Sequence, residues 1–271
     1  MSMSERVAAL ASDPDGELAR LTAEIRQKPA DAKLRTYLFQ LLALRGQWDR
    51  AVSQLQVAAQ ISPLAIPMAR TYREAILCEV YRGDVFAGRR DPSILGQPPA
   101  WMGALVEALK MHATGRVAEA EALRDGALEA ANATSGTIDG APFAWIADMD
   151  SRIGPVCEAF VDGKYVWIPF ERLAVVAIEA PADLRDLVWS AAELTFVNGG
   201  TTVALIPTRY SGTEQSTDAA LRMARRTEWT QSGDDTYAGL GQRMWATDGG
   251  EYAILDTRRI ALARADGAAV P

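Results

Sequence analysis

Two prolines that lie 34 residues apart, Pro29 and Pro63, frame the segment that most restricts the fold of this chain. Between them, small and apolar residues occupy the positions expected in one tetratricopeptide (TPR) unit. These residues are Gly46, Trp48, Ala51, Leu55 and Ala58. Glycine lets the first helix end, the alanines let two helices approach closely, and proline stops the second helix. The segment therefore predicts a helical hairpin of the kind that binds other proteins.

A second copy of this spacing lies further along the chain, where Gly115 takes the place of Gly46. Its remaining positions are Val117, Ala120 and Ala127. Between the two copies, residues 67–88 predict one helix instead of a complete unit. Its predicted apolar stripe consists of Met68, Tyr72, Ile76 and Val80. Two repeat-like units therefore bracket a degenerate middle one.

Hydrophobic periodicity predicts about six or seven helices in a small right-handed stack. The predicted ranges are 16–28, 31–45, 49–61, 67–88, 101–112 and 117–131. Asp31 and Asp49 are predicted N-caps, because a short carboxylate can accept the free N–H groups of a first helical turn. Residues 88–99 are rich in glycine and proline and predict a loop.

The second half of the chain has the pattern of strands. Residues 132–142 predict a linker, and Asp162-Gly163 and Asn198-Gly199 are turn dipeptides that predict hairpins. Predicted strands lie within 156–170, 173–180, 193–210, 226–233 and 244–257. The predicted fold class is α+β. An N-terminal TPR-like α-helical repeat domain at 1–140 precedes a mostly antiparallel β-rich α+β domain at 141–271.

Composition restricts the function classes. The chain has 271 residues, 49% of them hydrophobic, which is enough for one large or two ordinary domains. A formal net charge of −7 argues against non-specific nucleic-acid binding, and the chain has no basic run for a membrane surface. The N-terminus lacks a signal-peptide pattern, and Cys78 and Cys157 are too few for a disulfide framework. We therefore expect a cytoplasmic protein.

Residues that could carry chemistry are sparse. His112 is the only histidine and stands near a predicted helix end, where the helix dipole favours it. Asp148 and Asp150 could share a hard cation, but pairing with Arg152 at a turn is the commoner use of such a motif. Residues 239–241 resemble the start of a dinucleotide loop but indicate a tight crossing, since no helix follows. We predict no catalytic residue, metal site or cofactor.

Charged residues nevertheless cluster near the predicted domain boundary. A competing hypothesis places a small enzyme-like or ligand-binding module at 143–257. Its candidate residues are Asp148, Asp150, Glu158 and Arg209. Two of the seven tryptophans, Trp145 and Trp167, lie near the same boundary, and we expect them to pack one domain on the other.

Longer segments are more specific than these short motifs. The chain contains, in this order, LRTYLFQLLALRGQWDRAVSQLQVAAQISP, MARTYREAILCEVYRGDVFAGRR, GTIDGAPFAWIADMDSRIGPVCEAF, YVWIPFERL, DLRDLVW, VALIPTRY and GLGQRMWATDGGEY. In sequence and in order, these segments resemble the ImpE/SciE family, also called TagJ, over roughly residues 17–257. Members of that family are accessory proteins of bacterial type VI secretion systems.

The resemblance implies a cytoplasmic, non-enzymatic protein without a cofactor. The implied partner is the small subunit of the contractile sheath, recognised through a helix near that subunit's N-terminus. It also implies a role in sheath assembly or recycling, with an indirect link to the AAA+ ATPase that disassembles the sheath. Neither a nucleic acid nor a membrane is an expected partner.

The repeat spacing itself predicts that residues 17–131 hold an amphipathic helix in a hydrophobic groove. Aromatic and arginine side chains on the predicted helices are the candidate contacts, because these residue types dominate binding energies at interfaces. The candidates are Arg35, Tyr37, Arg70, Tyr72, Arg73 and Trp101.

Overall fold

The computed structural model describes residues 13–263, and the first half of this range is helical. The helices are α1 (Pro14–Gln27), α2 (Ala32–Leu44), α3 (Trp48–Ile61), α4 (Ile66–Phe86), α5 (Ala100–Ala113) and α6 (Val117–Ala130). A four-residue helix, α7 (Ala219–Arg222), lies in the second half. None of the helices in the described range is long and apolar enough to cross a bilayer.

The two predicted N-caps differ in outcome. Asp31 caps α2, since its carboxylate accepts the backbone N–H groups of Lys33 and Leu34. The prediction for Asp49 was wrong, because α3 already begins at Trp48. Asp49 therefore lies inside the first turn, where its negative charge interacts favourably with the positive end of the helix dipole.

The predicted repeat unit forms the α2–α3 hairpin. Gly46 closes it with a φ of +65°, which side chains of L-residues rarely adopt. Ala51, Leu55 and Ala58 on α3 are at most 1% exposed, so α3 packs closely on its neighbours. The α5–α6 hairpin repeats this arrangement around Gly115, whose φ is +81°. The helical region is therefore TPR-like, with α4 as a single helix between two hairpins.

The second half of the described chain is dominated by one large sheet. Its strands are β1 (Ser93–Ile94), β2 (Gly136–Ile138), β3 (Ala141–Phe143), β5 (Val156–Val161), β6 (Lys164–Pro169), β7 (Leu173–Ile178), β8 (Trp189–Phe196), β9 (Thr201–Pro207) and β14 (Arg259–Leu262). Their order is β1-β6-β5-β9-β8-β7-β14-β2-β3, and only the β1–β6 pair is parallel. This arrangement agrees with the predicted α+β fold class.

Two smaller sheets complete this half. They are formed by β4 (Ile146–Asp148), β10 (Thr227–Gln231), β11 (Tyr237–Gly241), β12 (Met244–Thr247) and β13 (Gly250–Ala253). β10 pairs with β11, and β12 lies between β13 and β4. The predicted tight crossing at 239–241 is confirmed, because a Cβ added at Gly239 would meet the Tyr210 ring at 2.3 Å.

Two segments predicted as loop or linker contain short strands. Residues 132–142 include β2 and the start of β3, joined by Asp139 and Gly140, which both have positive φ. Residues 88–99 include β1, which pairs with β6. Strands of two or three residues are too short to show an alternating pattern, so the sequence did not reveal them. The helical segment ends at α6 before β2 begins, and the division at residue 140 stays a prediction.

The helices cover part of one sheet face. A single core joins residues of the helices to Trp167 and Trp189 of the sheet, both fully buried. A second core on the opposite sheet face includes Ile168, Val176 and Trp245. Trp167 thus packs between the halves as predicted, whereas Trp145 is 40% exposed and does not.

Candidate partner-binding site

The inner face of α2 is closed by the β-rich half of the same chain. Residues 37–44 of this helix are all buried. Arg209 donates a 2.8 Å hydrogen bond to the carbonyl oxygen of Leu44, near the C-terminus of α2. Gln40 donates a 2.7 Å hydrogen bond to the Asp183 carboxylate. Side chains of the second half thus satisfy polar groups of the repeat-like unit.

Trp189 is the central aromatic residue where the β-rich half contacts the helices. Its ring centroid lies 6.0 Å from that of Trp48 and 5.7 Å from that of Tyr72. Its indole N–H donates a 2.9 Å hydrogen bond to Glu79, so the buried ring leaves no polar atom unsatisfied. The inner face of the helices is therefore filled without a partner protein.

Four of the six predicted contact residues belong to this closed region or its border. Tyr37, Tyr72 and Trp101 are each less than 8% exposed. The Tyr37 hydroxyl is hydrogen-bonded to Glu17, and the Tyr72 ring packs against the rings described above. Arg35 is half-buried and donates a 3.0 Å hydrogen bond to Gln54. These side chains serve the packing of the helices.

Arg70 and Arg73 lie on the opposite side, where α3 and α4 border an open groove. This surface is the outer groove, lined by Leu55, Gln56, Ala59, Ile66, Ala69, Arg70, Arg73, Glu74 and Leu77. Ile66 is 52% and Leu77 59% exposed. Exposed large apolar side chains that border one groove are typical of interaction surfaces.

The residues at the mouth of the outer groove follow the helical repeat. Ile66, Arg70, Arg73 and Leu77 are spaced by four, three and four residues, so they share one face of α4. Val80, three residues further, is 47% exposed and extends the same face. A row with apolar side chains toward its ends and two arginines at its centre therefore runs along the uncovered side of the helix; we call it the apolar row.

This row corrects the predicted apolar stripe of α4. Tyr72 and Ile76 are buried as predicted, and Met68 is partly buried. Val80 was assigned to the same stripe, but it faces solvent instead. The helix has apolar residues on two faces, and the sequence pattern did not distinguish the covered face from the open one.

The outer groove carries positive charge at its mouth. The Arg70 Nε atom is 3.4 Å from Glu74 Oε1, and the Arg70 side chain is 82% exposed. Arg73 is also exposed and forms no ion pair within residues 13–263. Exposed guanidinium groups beside an apolar floor suit a helix with an apolar stripe and acidic flanks.

A buried ion network links α4 to the β-rich half. Its members are Arg82, Asp148, Asp150, Arg152, Glu158 and Arg243. Arg82 donates two hydrogen bonds, of 2.9 and 3.0 Å, to the Glu158 carboxylate. Arg243 bonds both Glu158 and Asp148, and Arg152 Nη2 lies 2.5 Å from Asp150 Oδ2. Arg82 also bonds Glu79, at 2.9 Å, so three arginines face four carboxylates.

The network shifts the pKa values of its carboxylates in opposite directions. Burial alone would raise the pKa of Glu158, but the charges of Arg82 and Arg243 lower it to about 2. Burial raises the pKa of Asp148 to about 7, although Arg243 opposes this shift. Glu158 therefore stays ionised near neutral pH, held by two guanidinium groups.

These contacts bear on the competing enzyme-like hypothesis. Asp148, Asp150 and Glu158 do lie together, but each carboxylate is at most 4% exposed and bonded to an arginine. Arg209 lies apart from them and donates to backbone carbonyls. Within the described range, no group of three or more His, Cys, Asp or Glu side chains is placed to hold a metal ion.

Comparison with known proteins places the chain in a family. A curated Pseudomonas aeruginosa protein, type VI secretion system accessory component TagJ, is 50% identical over 246 residues, which cover 91% of this chain and 86% of the relative. The profile of the family described as ImpE protein matches residues 140–261. This chain belongs to the ImpE/TagJ family.

A solved structure agrees with the fold of this TagJ-family chain. The crystal structure of protein VPA1032 from Vibrio parahaemolyticus superposes with a TM-score of 0.85. It covers 96% of this chain and 98% of the other, at 23% sequence identity. At that identity the likeness concerns the fold alone.

The two cysteines and the histidine of the TagJ-family chain are engaged or buried. Burial raises the pKa of Cys78 and of Cys157 to about 12 each, so both thiols stay protonated near neutral pH. His112 Nε2 lies 2.6 Å from Ser232 Oγ, and burial lowers the pKa of the imidazole. His112 therefore joins α5 to the loop between β10 and β11.

Proposed function

We propose that this chain is a non-enzymatic accessory protein of a bacterial type VI secretion system and acts in the cytoplasm. In this proposal, the outer groove binds the helix near the N-terminus of the small contractile-sheath subunit. The contact aids sheath assembly or recycling, and any link to the AAA+ disassembly ATPase runs through the sheath. The name of the Pseudomonas aeruginosa relative supports the accessory role.

The observation that carries the proposal is the exposed apolar row on α4. Ile66 and Leu77 border a groove whose floor includes Leu55 and Ala59 of the neighbouring helix. An amphipathic helix can lay its apolar side chains into such a groove at positions i, i+3, i+4 and i+7. The apolar row therefore matches the helical partner that the family resemblance implies.

The positive charge of the outer groove indicates which kind of partner helix it would bind. Arg70 and Arg73 stand within the row, and Arg73 has no carboxylate partner in the described chain. Acidic side chains beside the apolar stripe of the partner would pair with these two groups and fix its orientation. We therefore expect the bound helix to carry Asp or Glu next to its apolar residues.

The two predicted domains have different parts in this proposal. Residues 1–140 carry the outer groove, whereas residues 141–271 close the inner face and hold the helices in place. The second unit thus acts as a scaffold for the first. The contacts of residues 13–263 do not favour the competing enzyme-like function, because its carboxylates are bonded to arginines of the same chain.

Isothermal titration calorimetry with the full chain tests the proposal. The ligand is a synthetic peptide of the N-terminal helix of the cognate small sheath subunit. Reversing both charges in Arg70→Glu/Arg73→Glu should weaken binding at least about tenfold, since two charge pairs become two repulsions. Leu77→Asp should weaken it comparably by placing a charge in the apolar row.

A matched control reverses two exposed arginines elsewhere, Arg225→Glu/Arg259→Glu, and alters the net charge equally. This variant should bind the peptide within about twofold of the wild type. Equal weakening by both double variants would assign the effect to overall charge. Absence of binding to the wild-type chain would refute the proposed partner.

A further inference from the structure

A second groove lies on the other side of α4, between this helix and the exposed part of the large sheet. We name it the sheet-edge groove. Its apolar floor includes Ala75 and Cys78 of α4, and Phe160, Ala191 and Leu205 of three neighbouring strands. It shares Glu74 with the outer groove but otherwise has different lining residues. The two grooves therefore flank the same helix.

The charges of the sheet-edge groove are opposite to those of the outer groove. Glu74, Asp162 and Glu179 belong to its lining, and this lining includes no lysine or arginine. Asp162 and Glu179 are exposed and form no ion pair within residues 13–263. Among the described residues, the ion-pair partner of Glu74 is the exposed Arg70, at 3.4 Å. Uncompensated carboxylates beside an apolar floor attract a positively charged ligand.

One wall of the sheet-edge groove is an open strand edge. β9 has a single register pair with β5, Phe160↔Leu205, because the β5–β6 hairpin turns back at Asp162. β9 itself continues beyond this point, and its Val203 side chain is 76% exposed. Within residues 13–263, the first residues of β9 therefore lack a neighbouring strand on the β5 side.

The hairpin register shows which backbone groups face this edge. The N–H group of Phe196 donates to the Gly200 carbonyl oxygen, which directs the backbone groups of even-numbered β9 residues toward β8. The N–H and C=O groups of Thr201 and Val203 consequently point to the open side. The Val203 carbonyl oxygen accepts a 3.3 Å hydrogen bond from the Thr202 hydroxyl, and it has no backbone partner within residues 13–263. A strand edge without backbone partners is the template on which an extended peptide adds as a further strand.

We propose that the sheet-edge groove binds an extended, basic segment of a partner protein as a short added strand beside β9. Backbone groups of Thr201 and Val203 pair with the segment. Its apolar side chains contact Phe160 and Leu205, and its Lys or Arg side chains approach the carboxylates. Alternation of apolar and basic residues meets both requirements, because successive side chains of a strand point to opposite faces. This inference is independent of the outer groove.

Titration of the full chain followed by NMR tests this inference, with acetyl-Lys-Val-Lys-Val-Lys-Val-amide as the probe. The wild type should show saturable shifts at the backbone amides of Val203 and its neighbours. The variant Glu74→Gln/Asp162→Asn/Glu179→Gln should bind about tenfold more weakly, since three exposed charge pairs are lost. An equivalent neutralisation elsewhere, Glu129→Gln/Glu251→Gln/Asp256→Asn, should change the affinity less than about twofold.

A backbone variant separates strand addition from plain charge attraction. Val203→Pro removes the N–H donor at the open edge, whereas Val203→Ala keeps it. The inference requires loss of binding for Val203→Pro and retention for Val203→Ala, with thermal unfolding showing that both fold. No saturable binding to the wild type would overturn it. So would equal binding of acetyl-Glu-Val-Glu-Val-Glu-Val-amide, or equal weakening by the two neutralised triple variants.

Discussion

The inner and outer sides of the helical layer are built from the same helices but meet different surroundings. Toward the sheet, α4 presents Arg82 to the buried Glu158, and both side chains are at most 1% exposed. Toward solvent, the same helix presents Arg73 without an ion-pair partner in the described chain. Arginine is thus a structural residue on one side of α4 and a candidate binding residue on the other.

This contrast teaches that a TPR-like hairpin does not by itself define the binding face. In a stack of repeats, the inner face is open to a peptide. Here Trp189 and Arg209 of the second half fill it, so its aromatic residues support folding. Substitutions on the inner face should therefore change stability, and those on the outer side should change binding.

The largest expected effect on the free energy of unfolding is that of a substitution at Glu158, which contacts the inner face of the helices. Glu158→Gln removes the carboxylate that Arg82 and Arg243 share, leaving Arg82 with Glu79 alone and Arg243 with Asp148 alone. Loss of this buried charge should lower the free energy of unfolding by about 3 kcal/mol. Urea denaturation at pH 7 measures this change. Glu193→Gln, on the neighbouring exposed surface of the same sheet, is the control and should stay within about 0.5 kcal/mol. A similar loss in both variants would contradict the structural role of the network.

A smaller effect is expected at Arg209. Arg209→Met removes the donor to the carbonyl oxygens of Leu44 and Arg222, and should cost about 2 kcal/mol of unfolding free energy. Urea denaturation beside Arg225→Met, an exposed arginine of the same half, isolates this contact. If both variants were as stable as the wild type, the second half would not hold the C-terminus of α2.

His112 provides a weaker, pH-dependent test of the packing between the halves. Burial lowers its pKa below the ordinary histidine value of about 6.5, so the unfolded state takes up a proton at a higher pH than the folded state. The stability that neutral His112 provides is complete above about pH 6.5 and is lost as the pH falls toward the folded pKa. The difference in unfolding free energy between wild type and His112→Gln should therefore decrease from pH 8 to pH 5. A constant difference would show that the ring is not buried.

The smallest effect on stability is expected at the outer groove. Arg70→Glu/Arg73→Glu alters only exposed side chains and should change the unfolding free energy by less than about 0.5 kcal/mol. Urea denaturation under the same conditions gives the comparison with Glu158→Gln. A loss of several kcal/mol would mean that the outer side is as structural as the inner one.

Local sequence patterns predicted much of the fold. Gly46, Ala51 and Ala58 indicated the α2–α3 hairpin, because a turn glycine and small contact residues have few other uses at this spacing. Paired turn residues such as Asp162-Gly163 located the hairpin between β5 and β6. The three-residue strand β2 was missed, since its pairing with β14 depends on residues more than a hundred positions away.

The six candidate contact residues stay a prediction, and the structure places only some of them at the outer groove. Arg70 and Arg73 lie at the outer groove, whereas Tyr72 and Trp101 are buried. Residue type alone does not reveal which helix face another part of the chain covers. The exposed Leu77 gave a local signal, as an apolar residue four positions after Arg73 on one helical face. Choosing that face required the packing of Trp189 against α4, a long-range contact.

Hydrogen exchange of the full chain, with and without a peptide of the small sheath subunit's N-terminal helix, tests the central claim most directly. The account predicts that the peptide slows amide exchange in α3 and α4, at the outer groove. It also predicts that this protection disappears in Arg70→Glu/Arg73→Glu, while the sheet keeps its protection in both proteins. Peptide-induced protection confined to the β-rich half, or unaffected by the double variant, would contradict the account.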